Sequence, residues 1–189
     1  MYHIGKHPTV LKKLHEEIDK VFFSNNSKDD NIIITQEKLS HLVYCDAIIK
    51  ETSRLGSIAS LPNRINIEKD TIGGLEWSAN TQFFINTAAM NLDPLVWENV
   101  DEFNPDRFLI DDDDNNGKEV LIFGGGHRIC PGKKLAMVQL KCLLVLFYYY
   151  WDIELVDKNQ PLKYEHVTVR KILELFVRIK PHTTFKYSL

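Results

Sequence analysis

The chain has 189 residues, of which 44% are hydrophobic and 26% charged, and a formal net charge of -3. These values suit one soluble globular unit with a sizeable core and exclude the basic footprint of a nucleic-acid binder. The three cysteines, Cys45, Cys130 and Cys142, lack the short spacings of a disulfide scaffold or zinc site, so a reducing compartment is the default.

Met1 to Pro8 contains no apolar run of the kind found in a signal peptide. From Pro8 to about Phe23, Leu11, Leu14, Ile18 and Val21 recur at helical spacing, with Lys12, Lys13, Glu16 and Glu17 elsewhere on the wheel. This predicts an amphipathic helix with proline near its first turn. Ser24 to Asp30 reads as a polar loop, and Asn31 to Thr35 as a short β-branched run before a second helix from about Leu39 to Leu55. In that helix Glu51 and Arg54 stand three residues apart and share a face with Ile48 and Leu55, which suggests charges drawn partly inside. By itself such a pair, which occurs often by chance, is better read as a solvated ion pair.

Arg64 to Ile67 and Gln82 to Asn86 read as strands separated by a turn at Gly73-Gly74. Ala88 to Asn91 is expected to be a short helix, ended by Asp93-Pro94. Asp112, Asp114, Asn116 and Gly117 fit the first half of a calcium loop, but the twelfth position, which requires a bidentate glutamate, is Phe123. A solvated acidic loop is therefore expected over Asp111 to Gly117.

The densest pattern is Phe123 to Gly132, FGGGHRICPG. Three successive glycines describe a backbone that takes positive φ or lets something approach closely. Cys130 follows them just before an apolar helix expected from about Leu135 to Tyr150, where a helix N-terminus favours a thiolate. That helix is apolar nearly all round and so reads as central, with Cys142, like Cys45, in its core pattern. Its apolar run, Leu143 to Trp151, falls well short of the ~20 residues that span a bilayer. Several other loops do not fit the glycine stretch. A P-loop needs Ser or Thr after its lysine, a dinucleotide fingerprint needs glycine where Ile129 stands, and zinc would lack two ligands beyond His127 and Cys130. Beyond the helix, Leu175, Val177 and Ile179 alternate with Phe176, Arg178 and Lys180 as a strand before Pro181.

What the loop does match is FxxGxRxCxG, through Phe123, Gly126, Arg128, Cys130 and Gly132, and in this it resembles the haem-binding loop of the cytochrome P-450 family. The resemblance implies that Cys130 is the proximal thiolate ligand of haem iron, that glycines let backbone N–H groups reach its sulfur, that Phe123 shields it, and that Arg128 and Arg64 meet the haem propionates. It also gives Glu51-Thr52-Ser53-Arg54 a second meaning. With Phe103-Asn104-Pro105-Asp106-Arg107-Phe108 it resembles the family's buried cluster of one carboxylate, Glu51, between two guanidiniums, Arg54 and Arg107. Trp77 to Thr81 stands where the family has a turn with proline and glycine and contains neither.

The fold so implied is mainly α with small β-sheets, an α+β arrangement, and residues 1–189 would form only the C-terminal, haem-binding region, without the N-terminal part and the central oxygen-activating helix. The implied activity is a haem-thiolate monooxygenase that inserts one oxygen atom from O₂ into a small organic or lipid-like substrate. Its cofactor would be haem b, with NADPH acting through a reductase that docks near Lys133 and Lys134. Ile58, Ala59 and Leu61, and the hairpin near Thr168 to Ile172, resemble the substrate-lining segments that this region retains. The alternative is a non-catalytic remnant that at most binds haem or other proteins. As it stands the chain would be cytoplasmic, and as part of a full-length eukaryotic member it would be associated with the endoplasmic reticulum membrane.

Overall fold

The computed structural model describes residues 1–22, 32–109, 120–166 and 169–182. The expected loop at Ser24 to Asp30, the acidic stretch Asp111 to Gly117, Asn31 and Thr168 lie outside the described residues. Six α-helices and four two-stranded antiparallel ribbons occur among the described residues, a mainly helical α+β arrangement.

A short helix not anticipated from the sequence, α1 (Tyr2–Lys6), precedes α2 (Pro8–Phe22). α1 lies so close to the later strand β5 (Trp151–Leu155) that a Cβ on Gly5 would sit 2.8 Å from Leu155 Cγ. α2 begins on Pro8, where a missing amide hydrogen costs nothing, and buries Val10, Leu14 and Ile18 along one side. The expected helix over Leu39 to Leu55 is in fact two, α3 (Gln36–Ser40) and α4 (Val43–Leu55).

The break has a tertiary cause. Leu42 leaves helical geometry with its side chain fully buried, and the Glu17 carboxylate on α2 then starts a new helix. Its Oε1 accepts from Tyr44 N at 2.5 Å and its Oε2 from Cys45 N at 2.8 Å. Two amides that no intrahelical carbonyl can serve are thus satisfied from another element.

Beyond α4 the chain forms β1 (Asn63–Ile65), β2 (Asp70–Ile72), β3 (Leu75–Trp77) and β4 (Gln82–Phe84). β1 pairs with β4 as expected, in the register Arg64 opposite Phe83, but both strands are shorter than the sequence suggests and a second hairpin, β2–β3, lies between them. Gly73 (φ 63°) and Gly74 (φ 79°) form its tip, a left-handed pair that closes a tight hairpin. In the turn without proline or glycine, Asn80 adopts φ 63°, the left-handed conformation that asparagine tolerates. α5 (Thr87–Asn91) follows, then a 3-10 turn at Pro105–Phe108.

α6 (Lys133–Tyr150) leads into β5, which pairs with β8 (Val177–Pro181), while β6 (Lys163–His166) pairs with β7 (Arg170–Glu174). Leu175 and Phe176 connect β7 to β8, so the last strand begins at Val177, later than the alternation indicates. The core joins α2 (Leu14, Ile18), α4 (Cys45, Ile48), α6 (Val145, Tyr148, Tyr149) and Ile153 of β5. Cys45 is fully buried and Cys142 only partly so.

One expectation is overturned. α6 is not central among the described residues: Leu135 is 63% exposed, and Val138, Leu140, Leu143 and Leu146 are also exposed. Only the C-terminal half of the helix finds apolar partners, because α2 and α4 reach no further along it.

Removing the carboxylate that starts α4 should be felt. Glu17→Ala is expected to lower the unfolding free energy by about 1–2 kcal/mol in urea titration, whereas Glu16→Ala, one position away on the exposed side of α2, should change it by less than about 0.5 kcal/mol.

Candidate functional site

Two constellations occupy neighbouring parts of the fold. The first is built on α4. Because Glu51 and Arg54 are one turn apart on the face turned toward α5 and the Pro105–Phe108 turn, both are drawn wholly inside, with side-chain exposures of 0%. Arg54 donates from Nε to Glu51 Oε2 at 2.8 Å and from Nη2 to Glu51 Oε1 at 2.9 Å, a two-pronged pairing. Arg107 Nε reaches the same Oε1 at 3.2 Å, and Asn104 N donates to it at 2.9 Å.

Further guanidinium hydrogens go to carbonyls. Arg54 Nη1 donates to Asn91 O at 3.1 Å and Nη2 to Glu102 O at 3.2 Å, while Arg107 Nη1 donates to Glu98 O at 3.0 Å. The Arg54 guanidinium also lies 5.6 Å from the ring centre of the buried Trp97. One buried carboxylate thus fixes three separated segments. The helical spacing alone placed this pair only partly inside, whereas the resemblance implied the buried cluster that is found; the backbone carbonyls that complete its shell, which no motif displays, permit full burial.

The second constellation is the glycine loop. Gly124 and Gly126 adopt φ of 70° and 63°, so a side chain at either position would be strained. Gly126–Arg128 forms a 3-10 turn, Ile129 N donates back to Gly126 O at 3.1 Å, and Cys130 N donates to Phe123 O at 2.9 Å. The loop is therefore cinched at its neck, with Phe123 half-buried on one side and Cys130 exposed on the other. Cys130 O accepts from Lys133 N at 3.2 Å, which carries the chain directly into α6.

Arg64 on β1 joins this loop from elsewhere in the chain. A Cβ on Gly124 would lie 3.9 Å from Arg64 Nη2, so guanidinium and loop backbone are immediate neighbours. Arg64 Nη1 donates to Asn63 O at 2.7 Å, and among the described residues neither Arg64 nor the exposed Arg128 has a carboxylate partner. One cation thus lies beside the glycine loop and a second is carried on it, in the same loop as the exposed Cys130 thiol. Gly132 leaves ordinary van der Waals space, with Cys130 Sγ 3.7 Å from where its Cβ would stand.

The expected approach of backbone N–H groups to the sulfur is not seen. Among the described residues none donates to Cys130 Sγ. Phe123 is joined to Cys130 through its carbonyl. Ile58 (60% exposed), Ala59 and Leu61 (57% exposed) form an open segment after α4, tied to β7 where Arg170 N donates to Ile58 O at 2.8 Å. Lys134 is exposed and Lys133 half-buried at the start of α6. Asn91, buried and absent from the sequence-based set, ties the two constellations together, and only its place at the end of the expected short helix hinted at it; the buried Thr87, just before that expected helix, holds the segment after α4.

The donor chemistry fits a haem. A single accessible sulfur suits a soft axial position on iron, two unpaired arginines suit a pair of carboxylates, and a neck of glycines leaves room for a flat face. No three His, Cys, Asp or Glu side chains converge on a common point among the described residues.

For the buried cluster, Glu51→Ala leaves Arg54 charged and enclosed, and should cost roughly 3–5 kcal/mol of unfolding free energy in denaturant titration. A loss below about 1 kcal/mol would show that the carboxylate does not hold the cluster together.

Comparison with known proteins places this arrangement. The cytochrome P450 family model matches residues 1–181. The bifunctional dihydrocamalexate synthase/camalexin synthase of Arabidopsis thaliana is 36% identical over 85% of this chain and 32% of its own length. The tryptamine 5-hydroxylase of Oryza sativa subsp. japonica is 33% identical over 100% of this chain and 37% of its own. The heme domain of cytochrome P450DA superposes with a TM-score of 0.81 at 22% identity, over 96% of this chain and 39% of that one, which establishes the likeness of fold. The chain spans about a third of the length of the curated relatives it matches. With the family model, the relatives and the fold in agreement, the chain belongs to the cytochrome P450 family.

Proposed function

We propose that this chain is the C-terminal, haem-binding portion of a monooxygenase, with Cys130 as the proximal iron ligand. The observation that carries this reading is the accessible Cys130 thiol, held at the end of a cinched glycine loop that itself bears Arg128 and has Arg64 beside Gly124. The relatives named tryptamine 5-hydroxylase and tabersonine 16-hydroxylase 1, the latter 36% identical over 91% of this chain, support an oxygen-inserting reaction on a small organic substrate. A thiolate-ligated haem b, when bound, supplies O₂ binding and cleavage, which the sulfur's electron donation favours.

The chain's own residues have simpler tasks. Cys130 gives up its proton and offers Sγ. Arg64 and Arg128 neutralise carboxylates at the edge of the cofactor, and the absence of a side chain on Gly124 keeps the Arg64 guanidinium close to the loop. Phe123 provides an apolar wall beside the neck. Ile58, Ala59 and Leu61 line the substrate side, and Lys134, with Lys133 beside it, offers positive charge to an acidic reductase that carries electrons from NADPH. No helix among the described residues is long and apolar enough to cross a membrane, so a position at the endoplasmic reticulum would depend on other segments.

A second reading, a non-catalytic remnant that at most binds haem or another protein, is favoured by the exposed apolar side of α6 and by the third of the relatives' length that the chain spans. Turnover separates the two. Residues 1–189 alone, loaded with haem and supplied with reductase and NADPH, are expected to consume NADPH largely to peroxide, with product below about a tenth of the NADPH used. The groups that deliver protons and exclude water from the oxygen side belong to no segment described above. Coupled product formation would show that this portion suffices.

The ligand assignment has its own test. Cys130→Ser should abolish the thiolate signature of the reduced carbon monoxide complex, while Cys45→Ser and Cys142→Ser should retain it. An unchanged spectrum in Cys130→Ser would refute the assignment.

A further inference from the structure

Asn91 ends α5 with only 1% of its surface exposed, and its polar atoms serve three different segments. Its Oδ1 accepts from Leu121 N at 3.1 Å, its Nδ2 donates to Ser57 Oγ at 3.2 Å, and its carbonyl accepts from Arg54 Nη1 at 3.1 Å. At the other end of α5, Thr87 Oγ1 donates to Ala59 O at 3.3 Å and to Ser60 O at 3.2 Å. α5 is therefore a short brace between the segment after α4 and the stretch that enters the cysteine loop.

The bond to Leu121 has no substitute. Within residues 120–132 the other hydrogen bonds stay inside the loop or run into α6: Ile122 N to Val120 O, Ile129 N to Gly126 O, Cys130 N to Phe123 O and Lys133 N to Cys130 O. Among the described residues, Leu121 N to Asn91 Oδ1 is the one hydrogen bond that ties the loop to the rest of the molecule. It acts two residues before Phe123, whose carbonyl cinches Cys130. A buried asparagine is commonly no more than a satisfied polar group in a core. Here, among the described residues, it also gives the one hydrogen bond from outside to the loop ahead of α6, and it stands on the carbonyl held by Arg54.

We propose that Asn91 is a positioning residue for the Cys130 loop, transmitting the fixed geometry of the Glu51–Arg54–Arg107 cluster through Leu121 to the neck closed by Phe123 and Cys130. The importance of that position for function rests on the reading of Cys130 as iron ligand; the positioning itself is measurable without haem.

The experiment is amide hydrogen exchange on the haem-free chain, residue by residue, paired with the reduced carbon monoxide spectrum of the haem-loaded chain. Asn91→Ala should raise the exchange rates of the Leu121 and Cys130 amides by about tenfold or more, as expected for loss of one buried hydrogen bond, and should lower the thiolate-ligated fraction by at least half. Asn91→Asp, which keeps the acceptor, should preserve Leu121 protection. Ser57→Ala, a milder change that frees the Nδ2 arm, should raise Leu121 exchange in the same direction by a smaller factor and remains informative if Asn91→Ala does not fold.

Asn86→Ala is the control for a merely structural role. It removes the side chain that accepts from Ala89 N at 3.0 Å at the start of the same helix, and should lower the melting temperature without selectively exposing the Leu121 and Cys130 amides. If Asn91→Ala or Ser57→Ala changes those two amides no more than Asn86→Ala does, the proposal is overturned. A wild-type chain without the thiolate signature would instead refute the ligand reading, and the haem-free exchange rates would still decide the role of Asn91.

Discussion

The arrangement depends on one buried carboxylate. Glu51 has no access to water, and an anion in that position is tolerable only because Arg54, Arg107 and Asn104 N all donate to it. Arg54 comes from the same helix, whereas Asn104 and Arg107 arrive together from the Pro105–Phe108 turn and its N-cap. Satisfying the charge therefore requires α4, the stretch around Glu98 to Asn104 and the Pro105–Phe108 turn to sit in one relation to one another. An apolar contact in the same place would allow sliding; a fork of hydrogen bonds at about 3 Å does not.

From that fixed point the order spreads outward. Arg54 grips the carbonyl of Asn91, and Asn91 grips both Ser57 and Leu121, so the cluster reaches the segment after α4 on one side and the cysteine loop on the other. The loop needs such support because it has little of its own. Its glycines carry no side chains to pack, two of them occupy left-handed backbone, and Cys130 faces solvent. In the iron-ligand role proposed for Cys130 the sulfur has to stay uncovered, so the loop's rigidity has to come from behind.

α6 shows the opposite balance of forces. Its last two turns are locked by Val145, Tyr148 and Tyr149 against α2, α4 and β5, yet Leu135 at its start is largely exposed. The helix is apolar on sides for which the described residues supply no cover. In the fold shared with the P450DA heme domain, this chain accounts for 39% of the other's length, which leaves most of that fold without a counterpart here. The surface exposed along α6 is therefore large relative to the core that holds its other end.

The sequence by itself determined the elements that local chemistry dictates. The amphipathic α2, the apolar α6, the short α5, the Gly73-Gly74 turn and the glycine loop with its cysteine were all legible, because helical period, glycine conformation and motif spacing are properties of neighbouring residues. The pair Glu51 and Arg54 could be placed on one face by the same logic, and Arg107 was added only through a resemblance. Tertiary structure decided the rest, because it depended on partners distant in the chain. The split between α3 and α4 required the Glu17 carboxylate from another helix, and complete burial of Glu51 required carbonyls at residues 91, 98 and 102. The place of Arg64 beside Gly124 and the tie from Asn91 to Leu121 join residues 60 and 30 positions apart, a distance over which no local pattern carries information.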